Sequence, residues 1–270
     1  MRAVIVGPGV MGETLAGAFR QVYPQEGLVF LGPPSERRRL LAERFGAVEA
    51  TAPADIGEAV DWLFLTLKPQ KALHVLPTLR PLLKPESVVL SVMAGVTLAH
   101  VRAALGHPRL VRTMPNTPGR IGAGITVWTA DSLSEEEHIT VKSFLAALGE
   151  EIYVEEESYI DMATALSGTG PAYVFLFMEA LMDAGVHMGL PRHIAERLVE
   201  ATLRGAVAYY KHTGKNPAAL RHEVTSPGGT TAEAIYRLEK AGFRPALSRA
   251  VWAAYQRSLS LRPPLPAQEG

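Results

Sequence analysis

Cysteine is absent from the 270-residue chain, which excludes disulfides, thiolate catalysis and cysteine-ligated metal and suits a reducing cytoplasm. Neither sign of charge is in excess, because 27 Lys and Arg balance 27 Asp and Glu. Nucleic acid and membrane surfaces are therefore not expected partners, and a charged ligand must be met locally. The histidines are scattered with no H-E-x-x-H pair, so no metal centre is expected. The opening "MRAVIVGPG" is too short an apolar run for a signal peptide or a membrane span and reads as a cytoplasmic strand. What the chain does have is apolar mass, 47% of its residues, enough for one large domain or two.

The first half alternates β-branched runs with helical stretches. Arg2 to Gly7 reads as strand, Met11 to Gln21 as helix, Leu28 to Leu31 as strand and Ser35 to Phe45 as helix. Strand-like runs follow at Asp61 to Leu67, Ser87 to Gly95, Arg109 to Pro115 and Gly124 to Ala130, continuously apolar as strands covered on both faces are. The pattern predicts an α/β fold with a doubly wound, mainly parallel sheet. A helix from Ser134 to about Gly149 and a short strand in "EIYVEEE" complete a first domain at residues 1–157. From Tyr159 onward only helical periods occur, predicting an all-helical second domain at 158–262. Its "AYVFLFMEALMDAG" is apolar nearly all round, so burial between helices or subunits is expected. The Pro-rich end, 263–270, is expected to be disordered.

"GPGVMG" spaces Gly7, Gly9 and Gly12 as G-x-G-x-x-G between a strand and a helix, with Val10 and Met11 opening that helix. This is the context of a dinucleotide site: one glycine for the tight turn, one for close approach to a pyrophosphate and one for helix packing. At the end of the second strand an NAD enzyme usually presents Asp or Glu to the ribose. Here the chain reads "FLGPPSERRR", with Gly32 and Pro33 at that place, then Ser35, Arg37 and Arg38. Hydroxyl and guanidinium donors suit a 2′-phosphate, so NADPH is favoured and NADH admitted. The other reading of the arginines is a solvated helix face.

Reduction of a ketone usually needs a positioned acid such as Lys or His. No lysine occurs between Lys142 and Lys211, and His187 and His193 stand in no site-like context. A protonated imine is already electrophilic and needs orientation more than a strong acid, so the missing lysine favours a C=N substrate. Downstream, "TSPGGTTAE" (Thr225 to Glu233) looks built for a small anion. Thr230 and Glu233 have capping-box spacing, and the amides of Gly228 and Gly229 precede a helix start. A second register makes Ser226 the N-cap and Pro227 the first helical residue. A capped helix start holding no ligand is the commoner fate of such a stretch.

Five stretches together resemble the pyrroline-5-carboxylate reductase family: "GPGVMGETLAGAF", "LKPQ", "RTMPNTPG", "SGTGPAYVF" and "VTSPGGTTAEAIYRLE". Their order spans nearly the whole chain, and Thr169 stands where Ser is common. The resemblance implies a Rossmann domain followed by an all-helical dimerisation domain, in an interleaved dimer that extends to a ring of dimers. It implies reduction of the cyclic imine 1-pyrroline-5-carboxylate to L-proline by NAD(P)H. The imine carboxylate then binds at Ser226, Gly228, Gly229, Thr230 and Thr231. Thr231 matches the threonine that hydrogen-bonds the ring nitrogen, leaving Thr230 for the cap. Lys68, Pro69, Ala94 and Gly95 lie along the cofactor, and Met114, Pro115 and Asn116 towards its nicotinamide. In an interleaved dimer the Ser226 turn can face the other subunit's cofactor. Two other readings share parts of this pattern: a β-hydroxyacid dehydrogenase, which relies on a helical-domain lysine, and a protein that binds NADP without turnover.

Overall fold

A computed structural model describes residues 1–264. The chain divides into two compact units, one of Met1–Pro171 with the chain from Ala253 onward, the other Ala172–Trp252. The boundary expected at 157/158 thus falls inside the first unit.

The first unit holds eight strands: β1 (Arg2–Val6), β2 (Gly27–Leu31), β3 (Val48–Ala50), β4 (Val60–Leu65), β5 (Leu83–Ser91), β6 (Leu110–Met114), β7 (Gly124–Asp131) and β8 (Gly149–Tyr153). Their order is β3-β2-β1-β4-β5-β6-β7-β8. All neighbours are parallel except β6 and β7. Only a 3₁₀ turn, Thr117–Ile121, joins that pair, too short for the crossover a parallel pair requires.

Residue alternation divides the core into two layers. Ala3 and Ile5 of β1, Phe30 of β2, Trp62 and Phe64 of β4 and Trp128 of β7 share one apolar cluster. The helices α1 (Val10–Val22) and α5 (Glu135–Ala146) cover it with Leu15, Phe19 and Phe144. The residues between them, Val4, Val29, Leu63 and Val89, join a second cluster beneath α3 (Pro69–Val75) and α4 (Leu98–Leu105). Both faces are covered, which is why the strands read as unbroken apolar runs.

The sequence reading did not anticipate β3, α3 or α4. β3 is three residues long with Val48 exposed, and carries no alternating signal of its own. It is held instead by pairing with β2 and by Arg38 of α2 (Glu36–Phe45). The Arg38 side chain is buried, donates to Glu49 Oε2 at 2.7 Å and to the Ala50 carbonyl at 2.9 Å, and also reaches the Gly32 carbonyl.

The helices after Tyr159 are as expected, and among the described residues no strand follows β8. α6 (Ser158–Ala163) runs into a π turn, Thr164–Gly168, and then into α7 (Gly170–His187). The second unit continues with α8 (Arg192–Thr213), α9 (Pro217–Glu223) and α10 (Thr230–Lys240), and α11 (Phe243–Ser260) returns the chain to the first. Val174, Phe175 and Leu176 of α7 are exposed, at 50%, 61% and 66%, an apolar face left without cover in the monomer. The run Ser158–His187 is long and apolar enough to cross a membrane by length and composition. A cleft of about 570 Å³ beside it is lined by Tyr173, Phe177, Leu203, Phe243 and Leu247.

The tail expected to be disordered lies outside the described residues from 265 onward. Before that point the chain is anchored: the Pro263 carbonyl accepts from His100 Nε2 at 2.7 Å. Arg262 donates to Asp161 Oδ2 at 2.7 Å, and Ser258 donates to Oδ1 at 3.2 Å. Asp161 is fully buried and also accepts from Arg112 of β6 at 2.7 Å. Burial alone would raise the Asp161 carboxyl, but Arg112 and Arg262 outweigh it and hold the group below its ordinary value of 3.8. A depressed folded-state pKa stabilises the fold above the unfolded value, and that contribution fades as pH falls through the folded one. Asp161→Asn should cost about 3 kcal/mol in urea denaturation near neutral pH, as loss of one partner of a buried ion pair does. The difference from wild type should begin to shrink as pH falls below the ordinary value of 3.8 and close as it falls through the depressed folded-state value. A gap that persists undiminished in acid would show that charge is not the cause.

Candidate functional site

The expected cofactor residues of the first unit gather at the carboxyl ends of the parallel strands. β1 and β4 are neighbours, and the strand order reverses between them, the place where doubly wound sheets bind ligands. Gly7 leaves β1 at φ +100°, a conformation side chains resist. Gly12 is buried: a Cβ there would stand 2.7 Å from the Gly7 carbonyl oxygen and 3.2 Å from Thr66 Oγ1. Thr66, just past β4, donates its hydroxyl to the Val6 carbonyl at 3.0 Å and to that of Gly7. Two close approaches thus draw the head of α1 onto the sheet.

Gly9 is the N-cap of α1, with nothing within 4 Å of the position a Cβ would take. The first amides of α1, Val10, Met11 and Gly12, lack intrahelical acceptors and sit at the positive end of a 13-residue helix. An open cradle of N–H groups beside exposed Gly9 and Val10 fits a pyrophosphate.

At the end of β2, Ser35 caps α2, its oxygen accepting from the Arg38 amide at 3.2 Å, which leaves the hydroxyl proton to donate outward. Arg37 is half exposed and donates from Nε to the Pro8 carbonyl at 3.1 Å, within the glycine loop. Arg38, expected beside Arg37 as a phosphate donor, is instead committed to β2 and β3. Its position on α2 faces the sheet edge, where it reaches the carbonyls of Gly32 and Ala50.

Lys68 is exposed after β4, with Pro69 as the first residue of α3. Ala94 and Gly95 follow β5, but Gly95 is buried beneath the end of α11, a Cβ there falling 2.7 Å from the Ser258 carbonyl. Asn116, past β6, brackets two segments: its Oδ1 accepts from the Ile125 amide at 3.0 Å and its Nδ2 donates to the Ser167 carbonyl at 3.2 Å. Ser167 lies in the π turn, where the position of a Cβ on Gly168 is 3.3 Å from Met114 Cγ. The turn is closed by Thr169, whose amide and hydroxyl both donate to the Thr164 carbonyl at 2.9 Å. The sequence reading included Ser167, Gly168 and Thr169 in a quoted stretch but anticipated neither the π turn they help form nor the contacts of Thr66, because neither has a spacing signature of its own.

Ser226, Gly228, Gly229, Thr230 and Thr231 belong to the second unit. The expected capping box is not formed. α10 begins at Thr230 with Gly229 as its N-cap, no side chain caps it, and Glu233 pairs with Arg237 at 2.7 Å instead. A turn imposes this start: the Gly229 amide donates to the Ser226 carbonyl at 3.1 Å and Gly228 adopts φ +71°. The Gly229 amide is therefore spent on the turn. The helix start instead leaves the amides of Thr230, Thr231 and Ala232 without intrahelical acceptors. Thr231 is half-buried and Thr230 exposed, both hydroxyls at the positive end of the helix. No cluster of metal-ligating side chains occurs among the described residues.

Comparison with known proteins finds relatives alike over nearly the whole chain. Residues 157–261 match the family model for pyrroline-5-carboxylate reductase dimerisation, and residues 2–95 that for NADP oxidoreductase, coenzyme F420-dependent. The chain is 39% identical over 259 residues to the pyrroline-5-carboxylate reductase of Glycine max, covering 95% of this chain and 94% of the relative. It is 37% identical over 257 residues to that of Pisum sativum, with the same coverage. The crystal structure of Plasmodium falciparum pyrroline carboxylate reductase with NADP bound superposes with a TM-score of 0.87 at 28% identity, covering 97% of this chain and 98% of that one. A dinucleotide turn at the head of a doubly wound sheet, a helical dimerisation segment and relatives alike over nearly their full length lead to one assignment: the chain belongs to the pyrroline-5-carboxylate reductase family.

Proposed function

We propose that the chain reduces 1-pyrroline-5-carboxylate to L-proline, the last step of proline biosynthesis, with NADPH preferred and NADH accepted. The observation that carries the reading is the helix start at 226–231, which offers amides and hydroxyls and no titrating side chain. Such a set suits an anionic substrate whose reacting C=N carbon needs orientation rather than a strong acid. In this reading the amides of Thr230 and Thr231, with Ser226 and the Gly228–Gly229 turn, hold the carboxylate, and the Thr231 hydroxyl meets the ring nitrogen. Gly7, Gly9, Val10, Met11 and Gly12 take the pyrophosphate, and Ser35 and Arg37 the 2′-phosphate. Lys68, Pro69, Ala94, Gly95 and Asn116 border the rest of the cofactor. When bound, the reduced nicotinamide supplies the hydride.

The exposed apolar face of α7 packs against a second copy in an interleaved dimer, and dimers assemble into a ring in the cytoplasm. Nucleic acid and membranes are not part of this reading: the chain carries no net charge, and the dimerisation match spans this helix.

Purified protein should oxidise NADPH when pyrroline-5-carboxylate is added; no turnover with either nicotinamide would sink the assignment. Thr231→Ala should lower kcat on the order of a hundredfold, the scale of one lost transition-state hydrogen bond. Thr230→Ala, which keeps its amide, should cost less than about tenfold and, with no cap to lose, little stability. Equal kinetic loss in both variants would refute the separate roles. Leu176→Asp, a charge on the α7 face, should turn the dimer seen by light scattering into monomer and abolish turnover; a monomeric, active wild type would overturn the dimer.

A further inference from the structure

Glu13 lies in the first turn of α1, directly after Gly12, and is buried. Three guanidinium groups share its carboxylate. Oε2 accepts from Arg37 Nη2 at 2.9 Å, and Oε1 accepts from Arg44 Nη1 at 2.7 Å and Arg120 Nη2 at 2.6 Å. The arginines come from the start of α2, the end of α2 and the 3₁₀ turn after β6. One carboxylate against three cations leaves a surplus of two positive charges; Glu13, Arg44 and Arg120 line a cleft of about 390 Å³, and Arg37 lies outside it.

Within this cluster Arg37 is the member that reaches the cofactor loop. Its Nε donates to the Pro8 carbonyl and its Nη2 to Glu13, so one acceptor within the glycine turn and one just after it hold the planar group. Its side chain is nevertheless 50% exposed, and Nη1 has no partner among the described residues. Donors remain free on the guanidinium, and Ser35 caps the same helix two residues earlier. A long side chain left to itself samples many rotamers and must lose that freedom to bind a phosphate. Anchoring it beforehand removes that cost.

We propose that Glu13 is a positioning residue for cofactor selectivity. By holding Arg37 against the glycine loop, it presets the guanidinium that receives the 2′-phosphate of NADPH. The inference rests on the NADPH reading above. Charge and position make opposite demands at this site. A carboxylate near a phosphate is repulsive, so if its charge governed binding, removing it would tighten NADPH. Position governs here because three arginines already neutralise the carboxylate and its removal frees Arg37.

The test measures KM and kcat with NADPH and NADH, and the dissociation constant of each by fluorescence titration, for wild type, Glu13→Gln, Glu13→Asp, Arg37→Ala and the Glu13→Gln/Arg37→Ala double variant. Arg37→Ala should raise KM for NADPH about tenfold and leave KM for NADH unchanged. Glu13→Gln, which keeps the shape, and Glu13→Asp, which keeps the charge but shortens the reach, should each raise KM for NADPH at least about threefold. Neither should move kcat or the NADH constants. Glu13→Gln should add nothing once Arg37 is gone, since the pair acts as one unit. Tighter or unchanged NADPH binding in Glu13→Gln, with Arg37→Ala still impaired, overturns the role of Glu13 and leaves the NADPH reading standing. Equal losses with NADH in both Glu13 variants overturn it too, by making the residue a general support of the fold. If Arg37→Ala leaves the ratio of NADPH to NADH constants unchanged, the NADPH reading falls and the inference with it.

Discussion

The close packing of Gly12 against the Gly7 carbonyl, with Thr66 just past β4 donating to the carbonyls of Val6 and Gly7, is the contact on which the proposed cofactor half depends. It draws the head of α1 onto the sheet at the point where strand order reverses, and so turns a helix end into an anion cradle. A side chain at position 12 would meet backbone at 2.7 Å and lift the helix away. Ser35, Arg37, Lys68 and Asn116 fall at the same edge because each follows a neighbouring parallel strand.

Two buried carboxylates each join segments of this unit that are far apart in the chain. Glu13 ties α1, both ends of α2 and the turn after β6. Asp161 ties α6, β6 and the returning C-terminal segment through Arg112 and Arg262. A buried carboxylate is stabilising only while its partners remain, so each cluster makes distant segments depend on one another. The two serve different ends: the Asp161 cluster closes the fold, and the Glu13 cluster reaches the glycine loop.

Much of the architecture was legible locally. Strand and helix periods located most elements, the glycine spacing located the dinucleotide turn, and the apolar belt of α7 announced an uncovered face. Where reading failed, competing forces were at work. β3 has too few residues to show a period and exists because β2 and Arg38 hold it. The capping box at Thr230 and Glu233 satisfied a spacing rule, but the Ser226–Gly229 turn began the helix one residue earlier and Arg237 took the glutamate. Arg38 looked like Arg37 in sequence, yet one turned under the sheet edge and the other towards the loop.

The sequence by itself determined the periods, the glycine turns, the absence of cysteine and the lysine-free run between Lys142 and Lys211. Those are local or compositional properties, set within a few residues of chain or by what is missing. Tertiary structure alone decided which charges meet. Glu13 finds Arg120 across 107 residues and Asp161 finds Arg262 across 101. A buried carboxylate accepts whichever guanidinium the packing brings within hydrogen-bond reach, and no spacing in the chain encodes that distance.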